Sequence, residues 1–136
     1  CLNVASNNGS SSSIYDMKLH HLIWDEPTYV KSISKSSTTI DSFLSEKKWE
    51  FFPDTLVIDT PGSELEILKG GVNSLEFIRL VQVEASDFEA YDCSANVESV
   101  TRYMVEQNFS MVEQVLVASD PTGQYNYFEL IFEKNV

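Results

Sequence analysis

Apolar positions change their period several times between residues 55 and 132, and each change marks an element. Residues 55–59, Thr-Leu-Val-Ile-Asp, form a short apolar run of the kind buried on both faces of a parallel sheet. Pro61-Gly62 ends it. Residues 63–68 then make a short helix. Glu64 and Glu66 sit in its first turn, where the helix dipole favours anions, and Lys69 sits at its end. Gly70-Gly71 suits a left-handed C-cap. Residues 78–84 read as a second strand, ending in Glu84. Asn96 caps a helix running to about Gln107, with Val97, Val100 and Met104 on one stripe and Asn108 at its end. Residues 111–117 and 124–132 are strands joined by the turn Asp120-Pro-Thr-Gly123, so they pair antiparallel. Strand, helix, strand, helix, strand, strand predicts an α/β fold. Its sheet is expected to be mostly parallel, with right-handed crossovers and an antiparallel pair at the end.

The first 54 residues are less regular. Residues 1–13 are small and polar, and composition alone reads them as a flexible linker with a turn at Asn7-Asn8-Gly9. Residues 14–29 show no clean period, and Glu26-Pro27 interrupts them. Residues 29–33 alternate as a strand does. A short helix is expected from residues 37–41, capped by Thr39 or Asp41, with Ile40, Phe43 and Leu44 as its apolar stripe. Residues 51–54 are a loop into the next strand.

With 136 residues the chain has room for one domain, and 43% hydrophobic with 22% charged residues is a globular composition. The net charge of −12 repels phosphate backbones and anionic membrane surfaces, so neither nucleic acid nor membrane is expected as a partner. Apolar stretches are strand-sized, far short of the ~20 residues of a membrane span. No signal-peptide pattern opens the sequence. Cys1 and Cys93 form neither a disulfide framework nor a metal spacing, which points to a reducing, cytoplasmic setting. An acidic calcium-binding module is a further alternative, but it lacks any loop of EF-hand spacing.

Candidate chemistry gathers on the carboxylates. Asp59 and Glu84 end two consecutive strands, and in open α/β sheets ligands bind at that end. If the strands are adjacent and parallel, their backbones lie ~5 Å apart and both carboxylates face one crevice. Two close carboxylates raise each other's pKa, which suits a general base, and they can also hold a divalent cation. The structural alternative makes Asp59 a turn residue bonded to the amides of Gly62 and Ser63. For Glu64 it is a first-turn dipole partner. Gly62 is read as a positive-φ position. His20 and His21 are neighbours, so on a strand they point to opposite faces and do not share a metal. Trp24 and Trp49 read as packing residues.

One resemblance is specific. Ile58, Asp59, Gly62, Glu64, Leu65, Leu68, Lys69 and Gly70, with Leu75 and then Leu80-Val-Gln-Val-Glu84, resemble the core signature of the FkbM-type methyltransferases. Thr39-Ile-Asp41-Ser-Phe-Leu44 is similar to the helix that precedes that strand in the family. The segment from Asn3 to Ile14, with Met17, Lys18 and His20, resembles the family's segment after its third strand. Tyr127-Phe-Glu-Leu-Ile-Phe132 resembles its last strand. Two departures stand out. Val57 replaces the family's usual lysine, and Pro61 replaces a polar residue and removes a backbone donor.

The resemblance implies the later part of a Rossmann-like, seven-stranded methyltransferase domain. Residues 1–54 would be the loop, hairpin and short helix after the third strand, and residues 55–136 the second half. No glycine-rich cofactor loop is present, so the chain is expected to be the back part of an enzyme domain. The resemblance further implies S-adenosylmethionine as methyl donor and a hydroxyl of a glycan or small metabolite as acceptor. Asp59, Glu84 and Glu64 are then the catalytic candidates. Asn3, Ala5, Asp59 and Gly62 are cofactor contacts, and Ser11, Ser12, Ser13 and His20 are substrate contacts, with no metal ligand. It also turns the serine-rich start from a linker into an ordered loop beside the active site. The alternative function is a non-catalytic half-domain or interaction module that forms a homodimer through an open sheet edge.

Overall fold

The computed structural model describes residues 1–46 and 49–136. In chain order the strands and helices are β1 (Leu2–Ala5), β2 (Tyr29–Ile33), α1 (Ile40–Glu46), β3 (Thr55–Ile58), α2 (Glu64–Lys69), β4 (Leu80–Ser86), α3 (Val97–Glu106), β5 (Phe109–Ser119) and β6 (Asn126–Lys134). Short 3-10 turns occur at His20–Leu22 and Ser74–Glu76. β1 and β2 form a small antiparallel sheet. The other four strands form one sheet in the order β3-β4-β6-β5.

β3 and β4 are parallel neighbours, as their order in the sequence predicts. The mostly parallel sheet expected from the strand-helix alternation is corrected, because β4–β6 and β6–β5 are both antiparallel. β3, β4 and β5 do share one direction, but the return strand of the final hairpin inserts between β4 and β5 and reverses the pairing. The core explains the insertion. Val81 lies opposite Phe132 and Val83 opposite Leu130, and all four are fully buried. Outside β5, β6 would lose that apolar partner.

α2 and α3 pack on each other and on the sheet, covering the core built from Ile58, Leu68, Val83, Val100, Met104 and Phe132. α3 starts as predicted. The Asn96 side chain accepts from the Ser99 amide at 3.0 Å, and the Ser99 hydroxyl accepts from the Asn96 amide at 2.9 Å. This reciprocal cap satisfies two amides that the first turn leaves free. Val100 and Met104 carry the buried stripe.

Three expectations change. Residues 55–59 are not buried on both faces: Ile58 is buried but Val57 is 60% exposed, because β3 is an edge strand covered on one side. The second strand starts and ends two residues later than expected, so Glu84 lies inside β4 with Ala85 and Ser86 beyond it. Gly70 is right-handed at φ −74°, not a left-handed cap. The glycine pair serves close approach instead. A Cβ at Gly70 would meet Thr39 Cβ at 3.3 Å, and one at Gly71 would meet Ile40 Cβ at 3.3 Å.

The composition reading of residues 1–13 as a linker is also corrected. β1 runs into a turn with Asn8 at φ 55° and Gly9 at φ 84°, and Asn3 exchanges both backbone hydrogen bonds with Ser13. Thr39 accepts from the Ser42 amide at α1's start, while Asp41 spans to the Ser74 turn and accepts from both Asn73 and Ser74. Among the described residues, no helix is long and apolar enough to cross a membrane.

Candidate active site

A cavity of about 280 Å³ opens where β3 and β4 end, lined by Asp59, Glu64 and Glu84 on one side. The geometry begins at the turn after β3. Gly62 has a φ of +87°, which carries the chain sharply into α2. Its amide donates to Glu64 Oε1 at 3.1 Å, and the Ser63 amide donates to the Thr60 carbonyl at 3.0 Å. The turn is therefore closed without Asp59, whose exposed carboxylate lines the cavity. Glu64 is only 6% exposed, far more buried than a first-turn dipole partner needs to be. Strand alternation turns Glu84 away from the face that buries Val81 and Val83.

Burial sets the electrostatics. It pushes the Glu64 carboxyl up to about 8; the Glu84 and Asp59 charges add to this, and the hydrogen bonds from its own and the Gly62 amide oppose it. Glu84 is pushed up to about 7, by burial first, then by Asp59 and by Glu129. Glu129 stands directly opposite Glu84 on β6, where like charges repel. Both carboxyl groups thus titrate near neutral pH, the range that suits general acid–base work.

The facing wall is aromatic and comes from segments far apart in sequence. His20, on the 3-10 turn, is 4% exposed. Its ring lies 5.1 Å from Trp24 and 5.1 Å from Tyr91. Its Nε2 meets Ser11 Oγ at 3.1 Å and its Nδ1 meets Tyr127 Oη at 3.4 Å. Burial, with a smaller push from His21, lowers its pKa and keeps the ring neutral. Asn7 holds Ser11 from both sides: Asn7 Nδ2 donates to Ser11 Oγ at 3.0 Å, and the Ser11 amide donates to Asn7 Oδ1 at 3.2 Å.

Of the three serines, Ser11 alone lines this cavity. Ser12 Oγ accepts the Ala5 amide at 3.0 Å, and Ser13 Oγ donates to the Pro61 carbonyl at 2.5 Å. These two hydroxyls clip the segment 6–13 to β1 and to the β3–α2 turn. Asn3 sits on β1, where its side-chain amide reaches Asp16 at 3.5 Å, and Ala5 is buried at the end of β1; both stand back from the cavity. The structure adds Asn7, Trp24, Tyr91 and Tyr127 to the wall. Trp24 reads as packing in the sequence, and it does pack, with its ring 4.7 Å from Tyr127. Tyr91 lies after β4, and the rule that ligands bind beyond strand C-termini is the signal that could have found it. Among the described residues the metal-compatible group is Glu89, Asp92 and Cys93, and it lies outside the cavity. Lys18 already pairs with both of its carboxylates, at 2.5 Å from Glu89 and 3.9 Å from Asp92.

Residues 2–111 match the model of the methyltransferase FkbM domain. No curated protein and no solved structure matches the chain at a significant level.

Proposed function

The chain belongs to the FkbM methyltransferase family, and from that premise we propose that its cavity is the acceptor side of an S-adenosylmethionine-dependent O-methyltransferase. The acceptor is a hydroxyl on a glycan or small metabolite. One observation carries this reading: Glu84 and Glu64 share a cavity and hold protons up to about pH 7 and about pH 8. A hydroxyl becomes a nucleophile as it loses its proton, and a positioned base with a pKa near the working pH removes it most effectively.

The donor chemistry of the cavity fits the proposed cofactor. S-adenosylmethionine supplies an electrophilic methyl group on a positively charged sulfonium. The carboxylates of Asp59 and Glu84 balance that charge, and Trp24, Tyr91 and Tyr127 give the cavity an aromatic wall. At about 280 Å³ the cavity lies at the small end of ligand sites, ~300–1,000 Å³, so it takes an acceptor group rather than a whole nucleoside beside it. Asp59 and Gly62 are the candidate donor contacts at its rim. Asn3 and Ala5 lie behind it on β1.

In this mechanism Glu84 accepts the proton of the acceptor hydroxyl. Asp59 accepts a second hydrogen bond and orients the nucleophile. Glu64 is protonated at neutral pH. With its Oε1 accepting from the Gly62 amide, the proton is left to Oε2. His20, neutral and held by Ser11 and Tyr127, fixes the opposite wall. Orientation supplies much of the rate. Exposed, unpaired Cys1 and Cys93 fit a cytoplasmic setting.

The test uses the protein that carries this chain, with methyl-labelled S-adenosylmethionine and a panel of glycosides and hydroxylated metabolites. Label should enter an acceptor oxygen, and Asp59→Asn and Glu84→Gln should each abolish most of it. Transfer that is untouched in both folded variants would overturn the assignment.

A further inference from the structure

β4 and β6 bring two glutamates face to face. Glu84 on β4 is the direct partner of Glu129 on β6. In an antiparallel pair such residues have Cβ atoms ~5 Å apart on one face, and like charges there repel. The register cannot slip to relieve them. Val83 and Leu130 form the adjoining pair and both are fully buried, so a shift of one residue would turn the core out to water. Glu129 meets no cation on its other side either. Its neighbour on β5 is Val115, and among the described residues neither glutamate takes part in an ion pair. Gln82, two residues before Glu84 and on the same face, donates its side-chain N–H to Glu129 Oε1. A neutral amide holds that carboxylate in place without cancelling its charge, where a lysine would do both.

Asp59 at the end of β3, Glu64 on α2, Tyr91 after β4, Tyr127 on β6 and His20 on its 3-10 turn line the same cavity as Glu84. Among the described residues no lysine or arginine lines it. Burial keeps Tyr91 and Tyr127 protonated and His20 neutral. Glu64 holds its proton up to about pH 8. Asp59 faces the bound groups themselves, so its charge is engaged when the cavity fills. Glu129 lies outside the cavity, so a ligand leaves its charge where it is. We propose that Glu129 is a positioning residue for the reaction: held by Gln82, its fixed negative charge makes Glu84 a stronger proton acceptor. The proposal rests on the reading of Glu84 as the base. The Glu129 charge adds to the upward push that burial and Asp59 give the Glu84 carboxyl.

Two readouts on the protein that carries this chain keep this inference apart from the methyl-transfer reading. The first is the carbon-13 titration of the Glu84 carboxyl, assigned by its loss in Glu84→Gln. Glu129→Gln keeps the shape and removes the charge. It should lower the Glu84 midpoint by about half a pH unit or more, the effect of two charges ~5 Å apart screened by water. Gln82→Met, which frees Glu129, should move the midpoint part of the way, and the double variant no further than Glu129→Gln. The second readout is kcat/KM against pH. Its acidic limb, near pH 7 in the unmodified protein, should fall by the same amount in Glu129→Gln. A merely structural role would lower the whole profile and leave the limb in place. An unmoved Glu84 midpoint in folded Glu129→Gln overturns the proposal. A midpoint that moves while the limb stays put keeps the charge pairing but overturns Glu84 as the base, and with it the role given to Glu129. If Glu129→Gln does not fold, the Gln82→Met midpoint decides.

Discussion

Gly62 donates its backbone N–H to the Glu64 carboxylate, two residues ahead in the chain, at 3.1 Å. The bond exists because φ at Gly62 is +87°, a conformation that turns the amide back toward the start of α2. It leaves a buried carboxyl group facing the cavity from a helix N-terminus, where a glutamate would ordinarily point to solvent. Pro61, which breaks the family pattern, contributes its carbonyl to Ser13 and so ties the segment 6–13 to the same turn.

Replacing Gly62 by alanine therefore meets two obstacles. A left-handed φ costs an ordinary residue about 1–2 kcal/mol. The new Cβ would also lie 3.1 Å from Tyr91 Cβ and 3.3 Å from Ser94 Cβ. Gly123 has a φ of +74° with nothing within 4 Å, so Gly123→Ala carries the strain alone. Thermal unfolding should rank Gly62→Ala as the larger loss. Equal losses would mean that the Tyr91 contact yields freely.

Stability should fall as pH rises from about 4.5 to about 8. Glu64 and Glu84 have folded pKa values above the ordinary 4.5, so in this window the folded chain binds more protons than the unfolded one. The slope of unfolding free energy with pH is then negative, ~1.4 kcal/mol per pH unit for each group protonated only when folded. Below the ordinary pKa both states are protonated and this contribution levels off. Glu64→Gln should flatten the fall and raise stability at pH 8. Denaturant melts of both proteins across the window check it, and parallel profiles would place the titration elsewhere.

Glu84→Gln should lower kcat by about 10²–10⁴, the range for loss of a general base. The acidic limb of the rate profile, near pH 7 in the unmodified protein, should disappear with it. A retained limb would assign the base to another group.

His20→Phe keeps the ring packing against Trp24 and Tyr91 but strips Ser11 and Tyr127 of their shared partner. Ser11 keeps the bond from Asn7, so the Tyr127 hydroxyl is the group left without a partner, at a cost of about 1–3 kcal/mol. Chemical denaturation should show a loss in that range, with Tyr127→Phe recovering part of it in the double variant. Additive losses would show that the two side chains act separately.

Asn96→Ala removes the cap of α3 and should cost about 1 kcal/mol. The Ser99 amide then has no acceptor in the cap. Urea unfolding is the direct measure. No change would indicate that water replaces the side chain at full value.

The elements from β3 onward were legible because each carries its own punctuation. Pro61-Gly62, the Asn96–Ser99 cap and the Asp120–Gly123 turn are local, and local chemistry is written in consecutive residues. The placement of β6 was not legible. It follows from Val81 meeting Phe132 and Val83 meeting Leu130, a pairing between residues about fifty apart that no period records. The site divides in the same way. Asp59 and Glu84 were visible as carboxylates near strand ends, whereas the wall made by His20, Trp24, Tyr91 and Tyr127 exists only once three distant segments converge. The serine run shows the converse. Its three hydroxyls look equivalent in sequence, yet backbone geometry gives Ser12 and Ser13 to main-chain partners and Ser11 to His20.

The position of β6 also bears on how the chain folds as a ribosome delivers it. β3 and β4 emerge first and can pair at once, but the far edge of β4 waits for β6, which follows only after α3 and β5 have been made. Throughout that interval the strand bearing Val81 and Val83 has one open, apolar edge, a known route to misassembly between nascent chains. Slow translation across residues 87–125 would lengthen the exposure, so this stretch is where chaperone protection matters most during synthesis.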